Sequence, residues 1–310
     1  MKRKTTLIFI TLMILVLPIN TAFAANISSN IENVATLQNW ILQKESVSDS
    51  DFLNKYDIDK NGIVNVVDLA IIKGKYKSEN EPVEYQFISK TTDIGTYDFN
   101  GFQYAYGGTS LPFRETIIGN KNSNDTKLVI YLHGGHSCGT DNSTQLEDTS
   151  LLNIADYLKK NNMNAVLAAP QCNSDHLWTY KPNKQLLKSF IDEKIANGEV
   201  SENHIYMLGA SAGGSGTWNM VSDYPDLFNA AMPSVSSPQG LSYEALSKTP
   251  LCVVLGENDV MFPPEKVKPL LDEITASGGE ILYQIREGCK HPEACQTAFS
   301  DECLEWVLNR

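Results

Sequence analysis

The chain has 310 residues, 42% hydrophobic and 20% charged, which excludes a wholly disordered or fibrous protein and suits one large or two smaller domains. Its formal charge of −12, from 25 basic and 37 acidic residues, argues against nucleic acid or an anionic membrane as the main partner. Six cysteines are too few for a disulfide-built scaffold, and no two stand as Cys-x-x-Cys, so a cysteine zinc site is not expected.

The first residues read as an address. Lys2, Arg3 and Lys4 form a basic segment. Leu7 to Leu17 is an uncharged apolar run ended by Pro18, and Thr21-Ala-Phe-Ala-Ala25 carries a small-x-small cleavage signal. The pattern is that of a signal peptide over residues 1–24, cleaved after Ala24. The run is shorter than the roughly 20 residues that span a bilayer, and no other segment is long and apolar enough to do so. The expectation is a secreted, extracellular protein without a membrane span. It becomes more acidic once the leader is lost, and disulfides are permitted but not required.

Residues 26–78 read as a small helical module around one polar loop. The first helix lies near Ile31 to Lys44, with Val34, Leu37, Ile41 and Leu42 on one face. Asp57, Asp59, Asn61, Asn65 and Asp68 fall at loop positions 1, 3, 5, 9 and 12, and Gly62 falls at 6. This spacing wraps oxygens around a calcium ion. Ile63 adds its backbone carbonyl, and the glycine permits the sharp central turn. A helix follows from Asp68 to about Tyr76. Residues 79–84 are polar and charged around Pro82 and suit an exposed linker.

Position 12 is aspartate, where an EF-hand has glutamate. Asn65-x-x-Asp68-Leu69 followed by a helix resembles the calcium loop of dockerins, and Leu37 to Ser46 resembles the helix of a first dockerin repeat. The resemblance implies docking to the cohesin of a cellulosome scaffold, with Val66 and Val67 at the positions that face it. The chain departs from the family in carrying one loop, because the first would begin inside the signal peptide. The other reading is a vestigial calcium-stabilised helix pair.

From 85 to 310 apolar strands alternate with amphipathic helices. Early strands are expected at Phe102–Tyr106 and Arg114–Ile118, as an antiparallel pair. Further strands are expected at Lys127–Leu132, Ala165–Ala169, His204–Leu208, Phe228–Pro233, Leu251–Leu255 and Ile281–Ile285. Helices are expected near Ser150–Asn161, Gln185–Ala196, Ala212–Tyr224, 264–277 and 296–308. The alternation predicts an α/β fold, a mostly parallel sheet with helices on both faces. Its site lies at the carboxyl ends of the strands.

Gly209-Ala-Ser-Ala-Gly213 stands between a strand and a helix. There the Gly-x-Ser-x-Gly turn exposes the Ser211 hydroxyl above the sheet, at a helix N-terminus that favours developing negative charge. A phosphate cradle would need a lysine that the turn lacks. In this fold the order is serine, acid, histidine. His133, His136, His176 and His204 precede Ser211, so His291 is the base by elimination. Asp259 is the expected acid, with Glu257 the alternative. Ala212 and Gly135 are the expected oxyanion donors, with His136 an alternative to Gly135. His133 reads as a loop brace.

The set Leu132-His-Gly-Gly135, Ala169-Pro-Gln-Cys172, Gly209-Ala-Ser-Ala-Gly213, Gly216-Thr-Trp218, Tyr224-Pro-Asp-Leu-Phe228 and Gly256-Glu-Asn-Asp259 resembles the α/β-hydrolases. The branch is that of polyhydroxybutyrate-depolymerase-like and phospholipase/carboxylesterase-like esterases. Lys290-His-Pro-Glu293 departs from the small or aromatic residues that often follow this histidine.

The implied activity is a serine esterase. With the dockerin resemblance, the implied substrate is acetyl or feruloyl esters of plant cell-wall polysaccharide. The alternatives are a serine peptidase on the same triad and a non-catalytic, calcium-dependent interaction protein. No cofactor beyond structural calcium is expected.

Trp178 and Tyr180 read either as an aromatic substrate wall or as a surface loop with its tryptophan packed inward. Trp218 reads as core. Cys138 and Cys172 are a candidate disulfide, a second pair is open among Cys289, Cys295 and Cys303, and Cys252 reads as a buried thiol.

Overall fold

The computed structural model describes residues 84–94, 97–106, 109–120 and 124–310, which fall within a compact unit running from Pro82 to Arg310. The signal peptide, the calcium-loop ligands and Val66 and Val67 lie outside the described residues. Of the expected linker only Glu84 is described, and it already belongs to the first strand.

Among the described residues nine strands form one sheet, in the order β1-β2-β3-β5-β4-β6-β7-β8-β9. The antiparallel edge consists of β1 (Glu84–Ile94), β2 (Tyr97–Tyr106) and β3 (Thr109–Ile118). Composition did not signal β1, because its sequence Glu-Tyr-Gln-Phe-Ile-Ser-Lys-Thr-Thr is largely polar. β3 runs antiparallel to β5 (Ala165–Pro170). From there the sheet is parallel through β4 (Lys127–Leu132), β6 (Ile205–Ala210), β7 (Ala230–Ser234), β8 (Leu251–Gly256) and β9 (Ile281–Arg286).

Strand pleating sends alternate side chains into two cores. Leu128, Ile130 and Leu132 of β4 point to one face with Met207 of β6. Val129 and Tyr131 point to the other with Tyr206 and Leu208. The first face is covered by α2 (Lys181–Ala196), α3 (Ala212–Asp223) and α5 (Pro264–Ala276) through Leu187, Phe190, Trp218, Val221 and Leu271. The second is covered by α1 (Thr149–Lys160) and, near the carboxyl end, α6 (His291–Thr297) and α7 (Asp301–Leu308). A short α4 (Tyr243–Leu246) completes the set. Both faces are covered, so the parallel strands are apolar throughout rather than alternating. No helix among the described residues is long and apolar enough to cross a membrane.

The expected single helix over 296–308 is instead two helices, α6 and α7. The Arg286 guanidinium explains the break. Its Nε donates to Thr297 O at 3.0 Å, and an Nη donates to Ala298 O at 3.3 Å and Ser300 Oγ at 3.0 Å. It thereby engages carbonyls at the end of α6, where Ala298 O also accepts from Ser300 N at 2.9 Å.

A buried ion pair ties β3 to α2. Lys194 Nζ lies 2.8 Å from Glu115 Oε2, with side-chain exposures of 4% and 7%, and Glu199 is a second partner at 3.1 Å. Removing one member of such a pair leaves an uncompensated buried charge. Lys194→Met is therefore expected to lower unfolding stability by about 3–5 kcal/mol in urea titrations. An unchanged midpoint would show that Glu115 does not need its partner.

Candidate active site

Ser211 sits between β6 and α3 with φ 56° and ψ −120°. That left-handed φ is costly for a non-glycine residue and is held by surrounding contacts. The Ser211 N–H donates to Ser234 O at 3.2 Å, anchoring the turn on β7. The flanking glycines make the turn possible. A Cβ at Gly213 would lie 1.8 Å from Leu132 O, and one at Gly209 2.5 Å from Gly213 O. Any side chain would push α3 away from β4, so the backbone approach itself sets where the hydroxyl stands.

Ser211 Oγ lies 2.8 Å from His291 Nε2, and His291 Nδ1 lies 2.8 Å from Asp259 Oδ2. With Nδ1 facing the carboxylate, the ring proton belongs on Nδ1 and Nε2 is left to accept from the hydroxyl. The Asp259 carboxylate is fully buried. Its other oxygen accepts from Met261 N at 2.8 Å and Phe262 N at 3.0 Å, which fixes its orientation. Glu257, the other carboxylate of the loop, turns away and accepts from Gly288 N at 2.7 Å.

The loop bearing the acid is also tied to the one bearing the histidine. Glu257 N donates to Arg286 O at 3.0 Å and Asn258 N to Cys289 O at 2.9 Å. His291 is the first residue of α6, where Pro292 fits the opening turn. The Cys295 thiol, one turn on, lies 3.9 Å from His291 Nε2, and burial pushes it up to about 12. It is a neutral neighbour of the base.

Gly135 opens a short 3-10 turn at the end of β4, and Ala212 is the first residue of α3. Because Gly213 packs on Leu132 O and His133 O, the two segments adjoin. The later amides of the turn are occupied, Ser137 N on Gly134 O and Cys138 N on Gly135 O.

His133 is fully buried. Its Nδ1 contacts Gly134 O at 2.7 Å, and its Nε2 accepts from Cys172 N at 3.2 Å. Each ring nitrogen thus has a backbone partner, and the imidazole braces the β4 and β5 loops against each other.

Trp178 is also fully buried. Its indole N–H donates to His133 O at 2.9 Å, and its ring packs edge-on against His133 at 4.9 Å. Of the two readings, the inward one describes it, so Trp178 offers no surface to a substrate. Tyr180 is 37% exposed and stacks on His176 with ring centroids 4.1 Å apart.

Cys138 and Cys172 face each other as thiols with Sγ atoms 4.0 Å apart. With His133 they form a compact cluster, but the ring nitrogens are already engaged. Burial raises the Cys172 thiol far above its ordinary range, which favours a neutral packing group over a metal ligand. Cys252 is a buried free thiol. Cys303 is free as well, and its thiol contacts Gln284 Oε1 at 3.2 Å.

Sequence reasoning missed the exposed rim that follows the acid. Val260 is 89% exposed and Met261 63% exposed, and the Phe262 ring lies 5.8 Å from the His291 ring. The signal was present, because three apolar residues directly follow Asp259 with no strand or helix to absorb them.

A thermostable esterase is 24% identical, with a TM-score of 0.62; the match covers 68% of this chain and 62% of that one. A cold-adapted esterase from an Arctic intertidal metagenomic library is 12% identical with a TM-score of 0.55, covering 73% of this chain and 99% of that one. A mutant feruloyl esterase module from Clostridium thermocellum, complexed with sinapinate, is 13% identical with a TM-score of 0.55, covering 73% and 96%. The architecture is the α/β-hydrolase fold. The chain spans less than two thirds of the thermostable esterase and nearly all of the other two. No protein-family model and no curated protein matches the sequence.

Burial lowers the His133 pKa from 6.5 to about 4. A depressed histidine contributes stability that is present above its unfolded value of 6.5 and lost as pH falls towards 4. The loss amounts to roughly 3 kcal/mol. His133→Gln, which keeps one donor and one acceptor, is expected to flatten this part of the pH dependence in denaturant titrations at pH 7 and pH 4. Parallel losses in the two proteins would refute the assignment.

Proposed function

We propose that the protein is a serine esterase that cleaves carboxylic esters through Ser211, His291 and Asp259. The observation that carries this reading is the continuous hydrogen-bonded chain from the half-buried hydroxyl of a strained residue to a buried carboxylate. His291 Nε2 takes the Ser211 proton as the oxygen attacks the ester carbonyl. The N–H groups of Gly135 and Ala212 receive the negative charge that develops on the carbonyl oxygen. His291 then gives the proton to the leaving alkoxide, which departs as the alcohol. Water, deprotonated by the same nitrogen, attacks the acyl carbon; the bond to Ser211 Oγ breaks, the acid leaves and Nε2 returns the proton to Oγ. Asp259 holds the ring's tautomer and stabilises its cationic form.

The preferred substrate in this reading is an acetyl or feruloyl ester of plant cell-wall polysaccharide. The Phe262 ring beside His291, preceded by the exposed Val260 and Met261, favours the larger, aromatic acyl group. The sinapinate-bound feruloyl esterase module of like fold is in keeping with it. The leader sequence supports export. The loop Asp57–Asp68 supports a structural calcium and, through Val66 and Val67, docking to a cohesin; no catalytic step passes through it.

Hydrolysis of p-nitrophenyl acetate, methyl ferulate, acetylated xylan and a matched amide, by wild type and Ser211→Ala, tests the reading. The expected outcome is ester hydrolysis that falls by at least about 10⁴-fold in the variant, with the amide inert. Equal activity in both proteins would remove Ser211 from the mechanism, and preference for the amide would make the protein a peptidase. Chelation of calcium is expected to leave p-nitrophenyl acetate turnover unchanged while abolishing retention on an immobilised cohesin. Retention that survives chelation would separate docking from the metal.

A further inference from the structure

The loops that end β4 and β5 enclose a second cavity, against the first half of β3, of about 490 Å³. That volume lies within the roughly 300–1,000 Å³ of small-ligand sites. Ser211, His291 and Asp259 do not line it. It opens at the same end of the sheet, because β3 runs antiparallel to β5 and Phe113 pairs with Pro170. In the order β3-β5-β4-β6 it stands three strand spacings from the elbow, roughly 14 Å. The two sites share walls. Gly139 to Asn142 continue the segment that begins at Gly135, and Asn173 and His176 belong to the loop that carries Trp178 under His133.

The floor of the cavity is rigid. Gln171 is fully buried; its carbonyl accepts from Asn142 N at 2.7 Å and its amide donates to Asp141 Oδ1 at 2.9 Å. Arg114 Nε donates to Asn142 O at 2.6 Å. Asn142 itself is held at φ 52°. The lining has one guanidinium, Arg114, and one carboxylate, Asp141, and each lies in the other's field. These two charges offset each other in the lining.

Its remaining lining is rich in amides and hydroxyls. Among the described residues, the Gln103 amide and the Thr140 hydroxyl have no protein partner, and neither does the N–H₂ group of Asn173. At the edge the His176 ring is stiffened by its stack on Tyr180.

We propose that this cavity is a subsite for a neutral sugar residue of the carbohydrate whose ester reaches Ser211. Unpaired amides and a hydroxyl around a rigid floor match a ligand covered in hydroxyl groups, each both donor and acceptor. An apolar acyl group would leave them unsatisfied. A uronate would meet Asp141, with the single cation already engaged. The proposal rests on the esterase reading and extends it to the part of the substrate remote from the ester bond.

The test uses full-length Ser211→Ala, so that binding is read without turnover. Xylotetraose, cellotetraose and trigalacturonate are titrated calorimetrically into it, and into the same protein carrying Gln103→Ala or Ser110→Trp. Saturable binding of a neutral oligosaccharide is expected, about 2- to 12-fold weaker with Gln103→Ala and lost with Ser110→Trp, which fills the cavity mouth. Unchanged melting temperatures confirm that the variants are folded; if Ser110→Trp is not, Gln103→Ala decides. Three outcomes would overturn the subsite: no binding of the neutral sugars, binding indifferent to both substitutions, or tighter binding of trigalacturonate. Wild-type turnover of p-nitrophenyl acetate is measured alongside. Its presence without sugar binding sinks the subsite alone, and its absence sinks the esterase reading.

Discussion

The approach of the α3 backbone to the end of β4 governs the site. Gly213 lies so close to Leu132 O and His133 O that no side chain fits between them. This contact forces Ser211 into its left-handed conformation and lifts its hydroxyl out of the sheet. It also brings the first amide of α3 beside the loop containing Gly135. A helix N-terminus carries partial positive charge, so the same contact places a favourable field where negative charge would form. The cost of the strained φ, of order 1–3 kcal/mol, is borne by neighbours such as the Ser211 N–H bond to Ser234 O.

The remaining parts of the site are held by loops that brace one another rather than by regular elements. On one side Glu257 and Asn258 bond the loop after β8 to the loop after β9, so acid and histidine move as one body. On the other side His133 and Trp178 knit the loops after β4 and β5. Both residues are buried, and burial fixes their roles. A neutral imidazole with each nitrogen bonded to the backbone serves as a strut. An indole beneath it keeps the strut in place. With both ring nitrogens engaged, His133 is a brace rather than a base.

Most of the parallel sheet was legible in the chain. A strand buried on both faces must be apolar throughout, and β4, β5, β6 and β8 advertise themselves as such. The early antiparallel pair was legible as well, but β1 was not. It is an edge strand of mixed sequence polarity that pairs along its main chain with β2. The split between α6 and α7 was hidden for a related reason. Its cause, Arg286, lies on β9, outside the window in which helical periodicity is read.

The sequence alone singled out Ser211 as the candidate nucleophile, because Gly-x-Ser-x-Gly between strand and helix is a local constraint. It singled out His291 as the candidate base because that is the one histidine after Ser211. It favoured Asp259 over Glu257 by position in the loop, and it left the inward and outward positions of Trp178 open. Tertiary structure decided both. Two carboxylates two residues apart differ only in which meets the imidazole and which meets a backbone N–H. An indole with one polar atom is stable inside once a carbonyl, here that of His133, is brought to it. The cavity beside β3 likewise belongs to the fold and not to any motif. Its walls come from four distant stretches of chain, and local sequence carries no record of which distant groups will be left facing one another without a partner.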